Sequence, residues 1–221
     1  AYNERSCIIM ESIDASAKML RRVVAVFPDT EITCIRPSAG GTFACMLVHL
    51  RHERDGVRRN ALKLFDALHP SKDTLVDLYA NQYGKFKGGV VSPNGSCVVG
   101  VLECRRRMRE FVHVYKWQRA RRQFALVYIR DLATLFRDAP GRVRTCHWMT
   151  FSPCSRFLAM AVSFQEHDTT SSVVVIDLHG IIDDVRRFPT VCDQIPVDLK
   201  WSEAGLWLVT RRGVLLIGVQ S

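Results

Sequence analysis

Chemistry, if the chain has any, is most concentrated between positions 105 and 122. Arg105, Arg106, Arg107, Arg109, Lys116, Arg119, Arg121 and Arg122 stand there against one acid, Glu110, and they supply most of the chain's net charge of +9. Clustered guanidinium groups attract phosphate or an acidic protein surface. The commoner role of such a run is solvated loop charge, so the seven arginines are candidate partner-binding residues and no more. Other reactive types lack the spacing that chemistry requires. His147 follows Cys146, and His167 lies between Glu166 and Asp168, but neither arrangement has metal-ligand spacing, and no Cys-x-x-Cys occurs. There is no phosphate-cradling glycine loop, His-Glu-x-x-His, nucleophile elbow or paired-carboxylate motif. Catalytic, cofactor and metal residues are therefore none, and the expectation is a protein that is not an enzyme. Ser152 reads as a turn residue and not a nucleophile, and Asp66 and Asp177 as carboxylates bonded to backbone amides in turns.

The elements that position these residues are repeats. Phe151-Ser152-Pro153-Cys154-Ser155-Arg156-Phe157-Leu158-Ala159 has near copies at Ser92-Pro93-Asn94-Gly95-Ser96-Cys97-Val98-Val99 and at Ser202-Glu203-Ala204-Gly205-Leu206-Trp207-Leu208-Val209. A looser copy runs from Pro37 to Ala44. In each, small polar residues make a corner and an apolar, strand-length run follows. A second strand candidate comes after each copy: Leu62–Asp66, Val112–Trp117, Val173–Leu178 and Val214–Ile217. The serines Ser38, Ser92, Ser152 and Ser202 are 54, 60 and 50 positions apart, long for a propeller blade of about 40–50 residues, so the excess belongs in loops. The unit predicted is a four-stranded antiparallel meander.

This pattern resembles the WD-repeat (WD40-like) β-propeller family, in which a blade has a serine-proline-aspartate-glycine turn between its first two strands and an aromatic-aspartate pair ending its third. Phe65-Asp66 matches that pair, and Ile176-Asp177 keeps the aspartate. The match is degenerate: no Gly-His and no Trp-Asp dipeptide occurs. The resemblance extends from about Ile32 onward. It implies an all-β propeller of four-stranded antiparallel blades, with residues 1–221 as a single segment of about four units, the first and last incomplete.

Unit by unit, strands are expected at Cys7–Met10 and Leu20–Phe27, with a helix over Ala15–Arg22 as the competing reading. They follow at Ile32–Arg36, Thr42–Leu50, Ala61–Asp66 and Thr74–Leu78, with residues 51–60 as a polar hairpin. After a glycine-rich entry, the second unit has Phe111–Trp117 and Phe124–Arg130. Asp131–Arg142 is expected to be irregular. The third unit has Arg144–Thr150, Phe157–Phe164, Val173–Asp177 and Val185–Phe188, and the fourth Val197–Trp201, Leu206–Thr210 and Val214–Val219. Six steps at about 3.3 Å separate the ends of Phe111–Trp117 by roughly 20 Å, so the arginine groups cap opposite ends of one strand. That geometry works against one continuous phosphate groove. Phe111, His113, Tyr115 and Trp117 share a face, expected to be packed on the neighbouring sheet.

At 48% hydrophobic residues the chain has ample material for a core. Its longest apolar runs, Phe157–Val162 and Val214–Val219, fall far below the roughly 18 residues of a membrane-spanning helix, so no transmembrane segment is expected. The eight cysteines sit mostly beside apolar residues inside strand candidates (Cys7, Cys34, Cys45, Cys97, Cys104, Cys146 and Cys192), with Cys154 in a turn. They read as buried reduced thiols, which points to an intracellular compartment, cytoplasmic or nuclear. The first residue is Ala1 and the last unit lacks an outer strand, so the expectation is part of a larger ring; the alternative is a closed four-blade ring with Leu20–Phe27 as outer strand to Val197–Val219.

Repeated blades carry no intrinsic reaction, so function must come from loops. The leading expectation is an adaptor or assembly platform binding other proteins, with acidic protein surfaces as the candidates for the arginines. The alternative is binding of RNA, DNA or phosphoinositide, that is nucleic acid or anionic lipid, through the arginines.

Overall fold

In a computed structural model of the chain, backbone is described for the strands and helix named below and their immediate turns. Side chains are described for residues 87–104, 109–121, 123–136, 145–164, 171–178 and 196–217. Every sheet is an antiparallel meander in chain order. A hairpin of β1 (Cys7–Ile13) and β2 (Met19–Val26) comes first. The next sheet has β3 (Thr30–Pro37), β4 (Cys45–Arg54), β5 (Val57–Asp66) and β6 (Val76–Asn81). It is followed by β7 (Gly84–Val91), β8 (Cys97–Cys104), β9 (Arg109–Gln118) and β10 (Gln123–Asp131). Then come β11 (Val143–Phe151), β12 (Phe157–Phe164), β13 (Ser171–Asp177) and β14 (Val185–Cys192), and finally β15 (Asp198–Ser202), β16 (Gly205–Val209) and β17 (Val214–Ile217).

The predicted register holds: Ser92, Ser152 and Ser202 each stand at the corner between the first and second strands of a sheet. Ser38 follows β3 and lies outside the described residues, as does the 15–18 part of the competing helix, whose remainder is β2. Asp66 and Asp177 end third strands, as the repeat pattern implies.

The polar stretch 51–60 is a hairpin, as expected: β4 and β5 extend through it in a ladder from Arg51↔Asn60 to Arg54↔Val57. One local expectation is corrected. The Asp131–Arg142 connection is not wholly irregular: α1 (Leu132–Leu135) is capped by Asp131, whose carboxylate accepts the Ala133 N–H at 2.9 Å. Four residues are too few to show a helical period. Val23 of β2 pairs with Ile9 of β1, and among the described residues the β1–β2 and β15–β17 sheets share no ladder, so the strand exchange that the closed four-blade alternative requires is not seen.

Strands β12 and β13 sit at the centre because both of their faces are covered. Leu158, Met160, Val162, Val174 and Ile176 pack toward Val99, Val101, Val112 and Val114 of the preceding sheet, joined by Leu132, Leu135 and Phe136 from α1. The alternate residues Phe157, Ala159, Ala161, Val173 and Val175 pack toward Leu199, Leu206, Leu208 and Ile217 of the following sheet. The period of two thus sends successive side chains into two different cores. Burial of each large aliphatic side chain stabilises by about 1.5–3 kcal/mol.

The two complete turns share one hydrogen-bond scheme. Ser92 N–H donates to the Cys97 carbonyl at 2.9 Å, and the Cys97 N–H returns to Ser92 Oγ at 2.9 Å. Ser152 and Phe157 repeat both bonds at 2.8 and 2.9 Å. Each corner needs one left-handed residue, supplied by Gly95 at φ 69° and by Ser155 at φ 62°. At Ser202 the corner is two residues shorter: Ser202 pairs directly with Gly205, and its hydroxyl accepts from Trp207 Nε1 at 2.7 Å.

Candidate interaction surface

The turn serines are engaged in building corners, so their hydroxyls are structural. Ser92 Oγ donates to Asn94 Oδ1 at 2.8 Å, and Asn94 Oδ1 also accepts from the N–H and hydroxyl of Ser96. In the sister turn the equivalent of Asn94 is Cys154, whose sulfur lies 3.2 Å from Ser152 Oγ. Burial works to raise the Cys154 thiol pKa, but hydrogen bonds from the Ser152 hydroxyl and from surrounding backbone outweigh it and the thiol lies below its ordinary value. Cys97 is the opposite case, pushed up to about 12 by burial despite the Lys116 ammonium. Cys97, Cys104 and Cys154 are free thiols, buried, half-buried and exposed respectively, so Cys97 fits the expected buried reduced thiol and Cys154 does not.

Adjacent sheets are tied together at this end. The Asn94 N–H donates to Ser155 Oγ at 3.1 Å, across 61 residues of sequence. Lys116 stands in its sheet where Asp177 stands in the next, since Cys97 pairs with Lys116 and Phe157 with Asp177. Its ammonium donates to the Leu178 carbonyl at 2.6 Å. The Asp177 carboxylate is buried and its Oδ2 accepts from both Arg156 Nε at 2.9 Å and Nη2 at 2.5 Å, while the guanidinium also lies over the Phe157 ring at 4.9 Å. The strand-end carboxylate thus has a charge-assisted partner in the turn arginine. Asp66 has no described side chain.

A second tie lies at the other end. Glu110 on β9 accepts from Thr145 Oγ1 at 2.9 Å and from the Cys146 N–H at 3.1 Å. Lys87 sits 2.9 Å from Glu103 and 4.0 Å from Glu110. Burial, only partly offset by those donors and by Lys87, lifts the Glu110 carboxyl above its usual range. Lys87, Gly88, Val101, Cys146, His147 and Met149 line a cavity of about 20 Å³, room for about one water. His147 Nε2 is 2.8 Å from Ser163 Oγ, so it is a strand-face histidine as expected, whereas His167 is outside the described residues. No group of three or more His, Cys, Asp or Glu side chains able to hold a metal occurs among the described residues.

The described arginine candidates divide between the ends of β9, as expected. Arg109 is its first residue, and so on a strand and not on a loop; its side chain is exposed but meets Asp131 Oδ2 at 3.0 Å. Arg119 and Arg121 are exposed in the turn after Gln118. Nine steps of about 3.3 Å separate the ends of β9 by roughly 30 Å, which keeps the two groups apart. Arg105, Arg106, Arg107 and Arg122 lie outside the described residues.

One expectation about the aromatic face is half met. Tyr115 and His113 are buried, but Trp117 is 38% exposed, resting edge-on against Phe124 at 5.2 Å. Leu126, Val127 and Ile129 on β10 are exposed as well, at 44%, 45% and 52%. Sequence reading missed this strip, because an apolar strand looks the same whether or not a neighbour covers it.

No helix among the described residues is long and apolar enough to cross a membrane. No protein-family model matches the chain, and no curated protein sequence does. Solved structures do. The β-propeller domain of Nup133 from Vanderwaltozyma polyspora aligns with 94% of this chain at TM-score 0.50 and 10% identity. A protein of Bacteroides uniformis, provisionally assigned as a 6-phosphogluconolactonase, aligns with 96% at TM-score 0.52 and 14% identity. The chain spans 64% and 62% of the lengths of those two structures. At such identities the likeness is one of fold, and together with the meander sheets it gives the chain a propeller-like, almost wholly antiparallel β architecture.

Proposed function

We propose that the chain is a non-enzymatic protein-interaction scaffold built from WD40-like propeller blades, part of a larger ring, acting as an adaptor or assembly platform in an intracellular complex. The observation that carries this reading is the use made of the repeat serines. Ser92, Ser152 and Ser202 all spend their hydroxyls on corner geometry, the Lys116 ammonium is spent on joining two sheets, and Arg156 and Asp177 are spent on each other within one. What is left for function is the solvent-facing surface of loops and outer strands, the part of a repeat protein that meets partners. The fold likeness to the Nup133 propeller domain is compatible with this reading. The likeness to the Bacteroides protein does not decide against it, since one architecture serves unrelated functions.

The experiment is affinity purification of the tagged chain from its own cells, with mass spectrometry, in low and high salt. A partner protein retained at near-equal amount in high salt supports the scaffold. Recovery of nucleic acid or anionic lipid, falling steeply with salt, would replace it with the arginine-binding alternative.

A further inference from the structure

We propose that the outer edge of the β7–β10 sheet is a docking strip for an acidic amphipathic helix, whose apolar side chains cover Trp117, Leu126, Val127 and Ile129 and whose carboxylates meet Arg119 and Arg121. The inference rests on the scaffold reading and names the kind of partner it takes. Leu126 and Ile129 are three positions apart and in a regular strand would face opposite ways. The bulge in β10 changes that. Leu126 pairs with Tyr115 and Ile129 with His113, so the extra residue Val127 brings both onto the face that also holds Phe124 and Trp117. The result is a continuous apolar strip on an outermost strand, four pairing steps or about 13 Å long, which matches roughly nine residues of helix.

Two further features select the occupant. A bulged edge disfavours addition of another strand through backbone bonds, so contact falls to side chains and a helix laid along the strip satisfies its own backbone. The charge is one-sided. At the far end Arg109 is neutralised by Asp131, whereas Arg119 and Arg121, next to Trp117, have no acidic partner among the described residues. A partner with apolar side chains along one face and carboxylates at one end complements both. A lipid surface pressed on the Arg119–Arg121 turn would leave Ile129 some way behind it, so the geometry favours the peptide.

The test uses the full chain and a fluorescein-labelled helical peptide with leucines at i, i+3, i+4 and i+7 and glutamates flanking them. The controls are the same peptide with lysine for glutamate, phosphatidylserine–phosphatidylcholine vesicles, and a uridine oligonucleotide. The glutamate peptide is expected to bind at least about tenfold tighter than the lysine peptide. Arg119→Glu with Arg121→Glu, and separately Leu126→Ser with Ile129→Ser, should each weaken it by about tenfold or more, with the melting temperature nearly unchanged. No binding of the glutamate peptide, binding that ignores both variants, or binding of vesicles or oligonucleotide alone would overturn the proposal. Purification of the same variants from cells separates the two readings. If the wild-type chain brings down partners and the variants bring down the same set, the strip is wrong and the scaffold stands. If the wild-type chain brings down none while the peptide still binds in a variant-sensitive way, the scaffold reading fails and the strip survives.

Discussion

Strands β13 and β17 occupy the same place in their sheets, third in the meander, and carry nearly the same residues, Val173-Val174-Val175-Ile176 and Val214-Leu215-Leu216-Ile217. Yet β13 is buried throughout, while Val214, Leu215 and Leu216 are 60%, 42% and 42% exposed and only Ile217 is buried. The residue types cannot account for this. β13 is flanked in its sheet by β12 and β14 and covered by a sheet on each face; β17 is bonded to β16 on one side. A hydrophobic strand is thus a core element only when its neighbours make it one.

The sharpest way to break the comparison is to truncate matched residues. Ile176→Ala should cost about 2–5 kcal/mol, because it opens a cavity in a core that has no slack, and Leu215→Ala under about 1 kcal/mol. Midpoints of denaturant unfolding measure both, and similar losses would mean that β17 is covered in solution. The corners allow a smaller contrast. Ser152→Ala leaves the buried Phe157 N–H without its acceptor and should cost about 1–3 kcal/mol. Ser202→Ala removes the acceptor of a partly buried Trp207 N–H that water can replace, so a loss of about 1 kcal/mol or less is expected by the same thermal or denaturant measurement.

The smallest effect concerns how a covered junction is sealed. Glu110 has its pKa raised by burial above its ordinary 4.5, so the folded chain holds that proton more tightly than the unfolded chain. Its contribution is complete below the unfolded pKa and is lost as pH rises through the raised one, so stability declines with pH in that window. Glu110→Gln keeps an acceptor for Thr145 and Cys146 and should remove the decline. Unfolding midpoints of the two proteins between about pH 4 and 7 check this, and parallel curves would show that Glu110 does not titrate differently on folding.

Much of the fold was legible because its signals are local. Pro93 and Pro153 with their serines mark corners, and the apolar runs after them give the strands, so β8, β9, β11–β13 and β15–β17 fall close to where they are expected, whereas β7 occupies the glycine-rich stretch read as an entry. The capped helix α1 escaped, being shorter than any period. The pairing of Lys116 with the Leu178 carbonyl escaped for another reason: it depends on which strand ends meet, which no single unit encodes. The arginines were visible as charge, but Arg109 and Arg119 look alike in sequence, and only the position of Asp131 tells a neutralised guanidinium from an uncommitted one. The β10 strip escaped because it depends on one bulge.

The corner at Ser155 has a consequence of its own. A side chain in the left-handed region carries strain of about 1 kcal/mol that Gly95, at the same place in the sister turn, avoids. In return the Ser155 hydroxyl holds the Asn94 amide, a bond of similar worth. The two terms nearly cancel, so the serine adds little to the depth of the energy minimum while adding a link between two sheets that Gly95, with no side chain, could not make from its own corner.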